Sequence, residues 1–336
     1  MKLSVIVICY NQVEYIQKAV DSVLCQKFKD DLEIIIGDDG SNDGSYELIR
    51  EKYGNKSNIK IFQMSRDPNI RYLPYVRQCQ IKLEALKYVE GEYFSILDGD
   101  DFFCDDKGLQ KKVDMLDKKE NTDIYSCGSN FWYYSDEKYI RKGVSERLRE
   151  GRVLPRVYWQ YYYIHVSTFV FRSVMIPCLP YAIIEKEYND NIILFCALQY
   201  GDIYYINDTT LCYRQGVKNS IWSNGKTRDK NIRQVMEIDI ANKINKKMWW
   251  ETYYRYRSSV KYLLDNRVEN ENEDLLNLAK ELECHETLEL LNLDVNKKKR
   301  SNKRLLLKHF ILQIACNIRW IKRHFWLQTR LGKYVK

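Results

Sequence analysis

The 336-residue sequence predicts an α/β fold: a doubly wound, mostly parallel sheet over residues 1–225, a helical C-terminal region over 226–296, and a basic tail over 297–336. Three observations carry this. Short β-branched apolar runs alternate with segments of helical periodicity up to Lys119. Carboxylate- or amide-bearing turns follow the first, second and fourth of those runs. The balance of charge changes abruptly at residue 297.

Taken in order, residues 3–9 form the first strand. Residues 13–26 are helical, with Val13, Ile16, Val20 and Leu24 on one face. Residues 32–36 are the second strand, and Asp43 is placed to cap a helix over 46–53. The third strand is 59–63. A helix over 75–88 is ended by Gly91, and 93–97 is the fourth strand. Asp105-Asp106 open a helix running to Lys119. From 123 to 223, short strands at 168–172 and 203–206 flank a helix at 191–200, after a dense aromatic run at 158–163. Beyond 226 the pattern is helical, with Trp249, Trp250, Tyr253 and Leu263 on apolar faces.

The β-α-β-α order argues a parallel sheet, and ligands of such sheets bind beyond the carboxyl ends of the strands. Tyr10-Asn11-Gln12, Asp38-Asp39-Gly40-Ser41 and Asp98-Gly99-Asp100-Asp101 therefore converge on one crevice. Acids clustered at the end of a buried strand cost desolvation and mutual repulsion unless something positive joins them. A divalent cation with oxygen ligands is the usual compensation. That points to metal-assisted chemistry on a phosphorylated substrate.

Bulk properties exclude other classes. None of the ten cysteines forms a C-x-x-C pair, so zinc spacing is absent and buried, reduced thiols are expected. The first residues do not read as a signal peptide, and no apolar run reaches the roughly 18 residues needed to span a bilayer. A cytoplasmic protein is expected. Of the 54 Lys and Arg, 13 lie in 297–336, which holds no Asp or Glu; the rest carries 41 bases against 46 acids. As a helix, the tail puts Leu307, Phe310, Ile311, Ile314, Ile318, Ile321 and Phe325 on one face, with Lys308, Arg319, Lys322 and Arg323 around it. This pattern predicts peripheral docking on an anionic inner membrane surface. No recognition module accompanies the charge, which argues against nucleic acid.

Residues 4–11, Ser22-Val23-Leu24-Cys25-Gln26, the run from Glu33 to Ser45 and the run from Gly91 to Asp101 closely resemble family 2 glycosyltransferases in order and spacing. The resemblance is specific over 3–103 and weaker to about 223. It implies a GT-A, Rossmann-like fold, a nucleotide-diphosphate sugar donor (a UDP-sugar favoured) and inverting transfer to the hydroxyl of a saccharide or lipid-linked acceptor, in cell-surface polysaccharide or glycolipid synthesis. It further implies that Tyr10, Asn11, Asp38 and Asp39 bind the donor, with Asp39 on the base, that Asp98 lies near the ribose, and that Asp100 holds Mg²⁺ or Mn²⁺.

Inversion needs a general base. Asp190, in Glu187-Tyr188-Asn189-Asp190, resembles the family's acidic position at a helix start, with Glu185 and Glu187 as rivals. Tyr213-Arg214 resembles the family's Tyr-Arg pair, where Arg214 would meet phosphate; Ser220-Ile221-Trp222-Ser223 resembles its flexible loop. Two departures stand out. Gly216 takes the place of a histidine that often follows, and Lys82-Leu83 stands about where relatives carry Arg-Asn. The alternative from another class is a non-enzymatic nucleotide-sugar binding scaffold of the same fold. A nucleotidyltransferase would show a Gly-rich basic loop, which residues 9–12 are not.

Overall fold

The computed structural model describes residues 1–291 except 68, 71, 145, 147, 154–163, 188, 189, 218–225 and 267–271, together with 307–312, 314, 315 and 318. The chain divides into two compact units, one of residues 1–225 with 243–248, the other drawn from 226–242 and 249–336.

The first unit begins as strand-helix alternation: β1 (Leu3–Cys9), α1 (Ile16–Leu24), β2 (Leu32–Asp38), α2 (Ser45–Tyr53), β3 (Ile59–Gln63), α3 (Pro74–Leu86) and β4 (Tyr93–Asp98). β1 pairs in parallel with β2 and β4, and β2 with β3. Every residue of β1 is buried, as expected of an apolar strand covered on both faces, and its one polar side chain, Ser4, is hydrogen-bonded to Glu33 and Gly91. Next come β5 (Phe102–Phe103), α4 (Gly108–Leu116), β6 (Ile124–Ser135), β7 (Lys138–Lys142), β8 (Gly151–Val153), β9 (Val170–Arg172), α5 (Tyr181–Ile184), α6 (Asp190–Tyr200) and β10 (Asp202–Arg214). The sheet order is β3-β2-β1-β4-β9-β6-β10-β5, with β7 on β6 and β8 on β10. Thus a parallel half is extended by a mixed half, in which β9 runs antiparallel to β4 and β6 while β6 and β10 are parallel.

Several boundaries differ from expectation. α3 stops at Leu86, so Gly91 does not end it; a Cβ at Gly91 would lie 2.7 Å from the Ser4 backbone nitrogen, and the residue is a close crossing over β1. The helix assigned to Asp105-Asp106 starts only at Gly108, because Phe102–Phe103 first pair with β10 and Asp105 accepts from the Lys107 backbone. Asp43 is not the residue before α2, which is Gly44; its carboxylate accepts from Ser45 and from Val13. β6 and β10 are far longer than the short strands expected. Register breaks around Ile206, Thr209 and Leu211 interrupt the two-residue alternation that would have revealed them. The aromatic run 158–163 and the loop 220–223 lie outside the described residues.

In the second unit, α7 (Thr227–Ile244, whose last two residues belong to the first unit), α8 (Trp249–Asp265), α9 (Glu273–Glu281) and α10 (His285–Leu291) are joined by buried polar ties. Asp239 accepts from the Glu286 and Thr287 backbone nitrogens at the start of α10, and Tyr256 donates to Glu237 at 2.5 Å. Residues 307–312 are helical. His309 is buried with Nδ1 2.9 Å from the Tyr253 hydroxyl, and Lys308 bonds Glu286 and Glu289. Leu307, Phe310, Ile311, Ile314 and Ile318 are all exposed. Ile321, Phe325, Arg319, Lys322 and Arg323 fall outside the described residues.

Candidate functional site

The strand order brings the polar turns together. Cys9 pairs with Asp38 and Ile8 with Asp98, so the ends of β2 and β4 flank that of β1, about 9–10 Å apart. The loop leaving β1 ties down both neighbours. Its Asn11 and Gln12 backbone nitrogens donate to Ser41 and Ser45, and Asn11, in the left-handed region at φ 52°, accepts from the Asn42 nitrogen. On the other side the Gly99 nitrogen donates to the Ile8 carbonyl, and a Cβ at Gly99 would stand 2.5 Å from Gln12 Oε1. Only glycine lets the acidic turn approach β1 this closely.

At the end of β2, Asp38 is wholly buried. It accepts from the Ser41 nitrogen at 2.9 Å, the Ser41 hydroxyl at 2.5 Å and Gln63 Nε2 at 2.9 Å, so its carboxylate is engaged in shaping the turn. Asp39 is 3% exposed and sits between two arginines. Arg66 pairs with its carboxylate and donates from Nε to its carbonyl at 2.6 Å; Arg77, from the first turn of α3, pairs with the other carboxylate oxygen. The Arg66 guanidinium lies over the Tyr10 ring at 3.9 Å, with Tyr72 against both arginines.

The turn after β4 is compensated differently. Lys82 of α3, 1% exposed, places its ammonium 3.4 Å from Asp98. The Arg214 backbone nitrogen donates to Asp101 at 2.9 Å, and its Nε donates to the Asp100 carbonyl at 2.8 Å. No guanidinium or ammonium hydrogen bond to the Asp100 or Asp101 carboxylate is seen among the described residues, and Asp101 Oδ2 is buried without a partner. Burial, then the charge of Asp98, pushes the Asp100 carboxyl up to about 7; burial, then Asp100 and Asp98, holds Asp101 well above the usual range. Arg214 also lies over Tyr15 at 4.8 Å and near Glu137 at 3.6 Å.

Tyr10, Asn11, Asp38, Asp39, Asp98, Asp100 and Arg214 thus share one set of strand ends. Asp190 is the first residue of α6; its side chain is outside what is described. Of its rivals, Glu187 is buried and Glu185 exposed. Arg66, Arg77 and Lys82 are charged partners that motif reading did not assign. For Arg77 a signal was present: Arg77-Gln78 is a basic-polar pair at the start of α3, five residues before Lys82-Leu83.

The family model "Glycosyl transferase family 2" matches residues 4–192, more than half of the chain. An uncharacterized protein of Mycobacterium tuberculosis is 32% identical over 127 residues, 36% of this chain and 33% of that protein. Poly(ribitol-phosphate) beta-N-acetylglucosaminyltransferase TarS of Staphylococcus aureus is 36% identical over 103 residues, 30% of this chain and 17% of TarS. The matched stretches therefore span a third or less of these relatives. In three dimensions the crystal structure of S. aureus TarS 1–349 is similar with a TM-score of 0.60 at 18% identity, covering 87% of this chain and 83% of that one. The complex of the same fragment with UDP-GlcNAc gives 0.57 at 19%, covering 87% and 84%. The fold is the GT-A type that the motifs implied, and the chain belongs to glycosyl transferase family 2.

Proposed function

We propose that this chain transfers a sugar from a nucleoside-diphosphate donor, with a UDP-sugar favoured, to an acceptor hydroxyl with inversion, in the synthesis of a cell-surface polysaccharide or glycolipid. The observation that carries this reading is the meeting of two unlike polar sites at adjacent strand ends. Asp39 is an acceptor flanked by Arg66 and Arg77, which only donate. An imide N–H beside a carbonyl, the edge of uracil, complements that set, and Tyr10 offers a ring face. Asp38 shapes this loop, Asn11 holds it to the loop after β1, and Asp98 stands toward the ribose.

The second site suits a hard cation. The unpartnered buried Asp101 Oδ2 and an Asp100 carboxyl that burial and the charge of Asp98 push up to about 7 both indicate missing positive charge. Among the described residues no three His, Cys, Asp or Glu side chains form a metal site by themselves. Asp100 would hold Mg²⁺ or Mn²⁺, with diphosphate oxygens and water completing the shell. Bound there, the cation would neutralise charge growing on the departing diphosphate. Arg214 orients the acidic turn through its backbone and Nε and adds positive charge beside it. Asp190 takes the acceptor proton as base.

The exposed apolar stripe from Leu307 to Ile318 supports peripheral docking on an anionic inner membrane surface. Among the described residues of this segment, the polar Lys308 and His309 bond within the second unit while Leu307, Phe310, Ile311, Ile314 and Ile318 are exposed. No described helix is long and apolar enough to cross a membrane. Deleting 297–336 should abolish co-sedimentation with anionic vesicles, and sedimentation unchanged by the deletion would refute the docking. For the transfer, a panel of nucleotide sugars should show Mn²⁺-dependent binding and slow hydrolysis, greatest for a UDP-sugar, with hydrolysis lost and binding kept in Asp190→Ala. Failure of every nucleotide sugar to bind would contradict the reading.

A further inference from the structure

We propose that the β6–β7 hairpin is a separate binding site for an anionic acceptor chain, one carrying phosphate or carboxylate groups along its length. This rests on the transferase reading above and assigns the acceptor's chemical class. Tyr134 of β6 pairs in register with Arg214, whose backbone N–H and Nε bond Asp101 and Asp100, so the hairpin starts one residue row from the acidic turn. From there it projects onward. Ser135 pairs with Lys138 across a two-residue turn, Asp136-Glu137, with φ of 48° and 57°. Both turn residues lie in the left-handed region, the geometry of a tight hairpin that matches strand twist.

The outer strand is open and basic. All five residues of β7 are exposed, and Lys138, Arg141 and Lys142 make no ion pair with any carboxylate among the described residues. Of the two turn acids, Asp136 accepts from its neighbour Ser135 at 3.4 Å. Glu137 accepts from the Tyr134 hydroxyl at 2.6 Å and faces Lys18 at 3.7 Å and Arg214 at 3.6 Å. Instead of acids, the cations meet rings. The Arg141 guanidinium lies 4.0 Å from the Tyr133 centroid and the Lys142 ammonium 5.7 Å from that of Trp132. Tyr139, 57% exposed, packs on Trp132 at 5.5 Å.

By their register Arg141 and Lys138 stand with Tyr133 on one face of the hairpin, and Lys142 and Tyr139 with Trp132 on the other; two cations beside a ring on one face suit a polyol or sugar chain whose anionic groups recur along it, the ring meeting the carbon skeleton and the cations the charges. Lys138 and Arg141 oppose residues two apart on β6, so they stand about 7 Å apart along that face. Proximity to the acidic turn and charge complementarity both favour a polymer whose terminus is being extended.

The test uses the whole chain and a short phosphodiester-linked polyol oligomer, with a neutral oligosaccharide of equal length and anionic vesicles as controls. Calorimetry should show oligomer binding that weakens as salt rises, with little binding of the neutral control. The double variant Lys138→Ala/Arg141→Ala should weaken it roughly tenfold, while UDP binding in Mn²⁺ stays as in the wild type; the charge-keeping Arg141→Lys should lose less. The surface position of both residues keeps the fold out of the outcome, and intact UDP binding verifies it. The proposal is overturned if the neutral oligomer binds equally well, if the double variant binds the oligomer as the wild type does, or if the mutations impair only vesicle binding. Loss of UDP binding by the wild type itself would instead refute the transferase reading.

Discussion

The two acidic turns of the site solve the same electrostatic problem in opposite ways. After β2, Asp38 and Asp39 are buried, and their charges are met from within the protein by Ser41, Gln63, Arg66 and Arg77. After β4, Asp98 has one lysine at 3.4 Å, Asp101 accepts from the Arg214 backbone, the Arg214 Nε goes to the Asp100 carbonyl, and the buried Asp101 Oδ2 has no partner. A self-compensated turn can present a fixed hydrogen-bonding edge. An under-compensated one is completed by something it binds. The first arrangement suits recognition of a neutral nucleobase, the second a cation and its diphosphate.

The largest effect that would break this contrast is on turnover. Asp100→Asn should reduce Mn²⁺-dependent donor hydrolysis by roughly 10²–10³-fold, read as the initial rate of nucleotide release. Next in size, Arg77→Ala should destabilise the first unit by about 3 kcal/mol in urea unfolding, because a buried carboxylate loses one of two cations. A loss much below that would mean Arg66 alone suffices. Lys82→Met should have the smaller structural cost, since Asp98 remains partly exposed; its expected signature is weaker donor binding measured by calorimetry.

Glu33 sharpens the comparison away from the site. Burial raises its carboxyl, but the Ser4 hydroxyl, Lys60 and the Glu90 nitrogen outweigh that, and the net shift is downward. Its folded pKa is therefore below its unfolded one. The stability it contributes is complete above its ordinary value of 4.5 and is lost as pH falls through the folded value. Glu33→Gln should cost about 1–2 kcal/mol at neutral pH and flatten the acid limb of a stability–pH curve. Asp100 has the opposite sign. With its pKa raised to about 7, folding stability declines as pH rises from about 4 toward 7, which is the penalty a bound cation would offset.

How legible was this in the sequence? The parallel half was, because β1, β2 and β4 are buried on both faces and leave mostly apolar runs, each with a single buried polar residue (Ser4, Glu33, Ser95) before its polar turn. The mixed half was not. β6 carries aromatic and polar residues together and β10 breaks register against it, so neither shows a clean period. Asp39 and Asp100 stood out because their turns have strong local chemistry. The pairing of Arg66 and Arg77 with Asp39, and of Lys82 with Asp98, did not, because each side chain reaches across to another strand's turn, a relation that spacing along the chain does not encode.

The most direct test of the central claim is a calorimetric titration of UDP into the wild type and Asp100→Asn, each with and without Mn²⁺. A strong Mn²⁺-dependent gain in affinity should appear in the wild type and vanish in the variant, with a similar metal-free affinity in both. Equal binding with and without the cation in the wild type would contradict it.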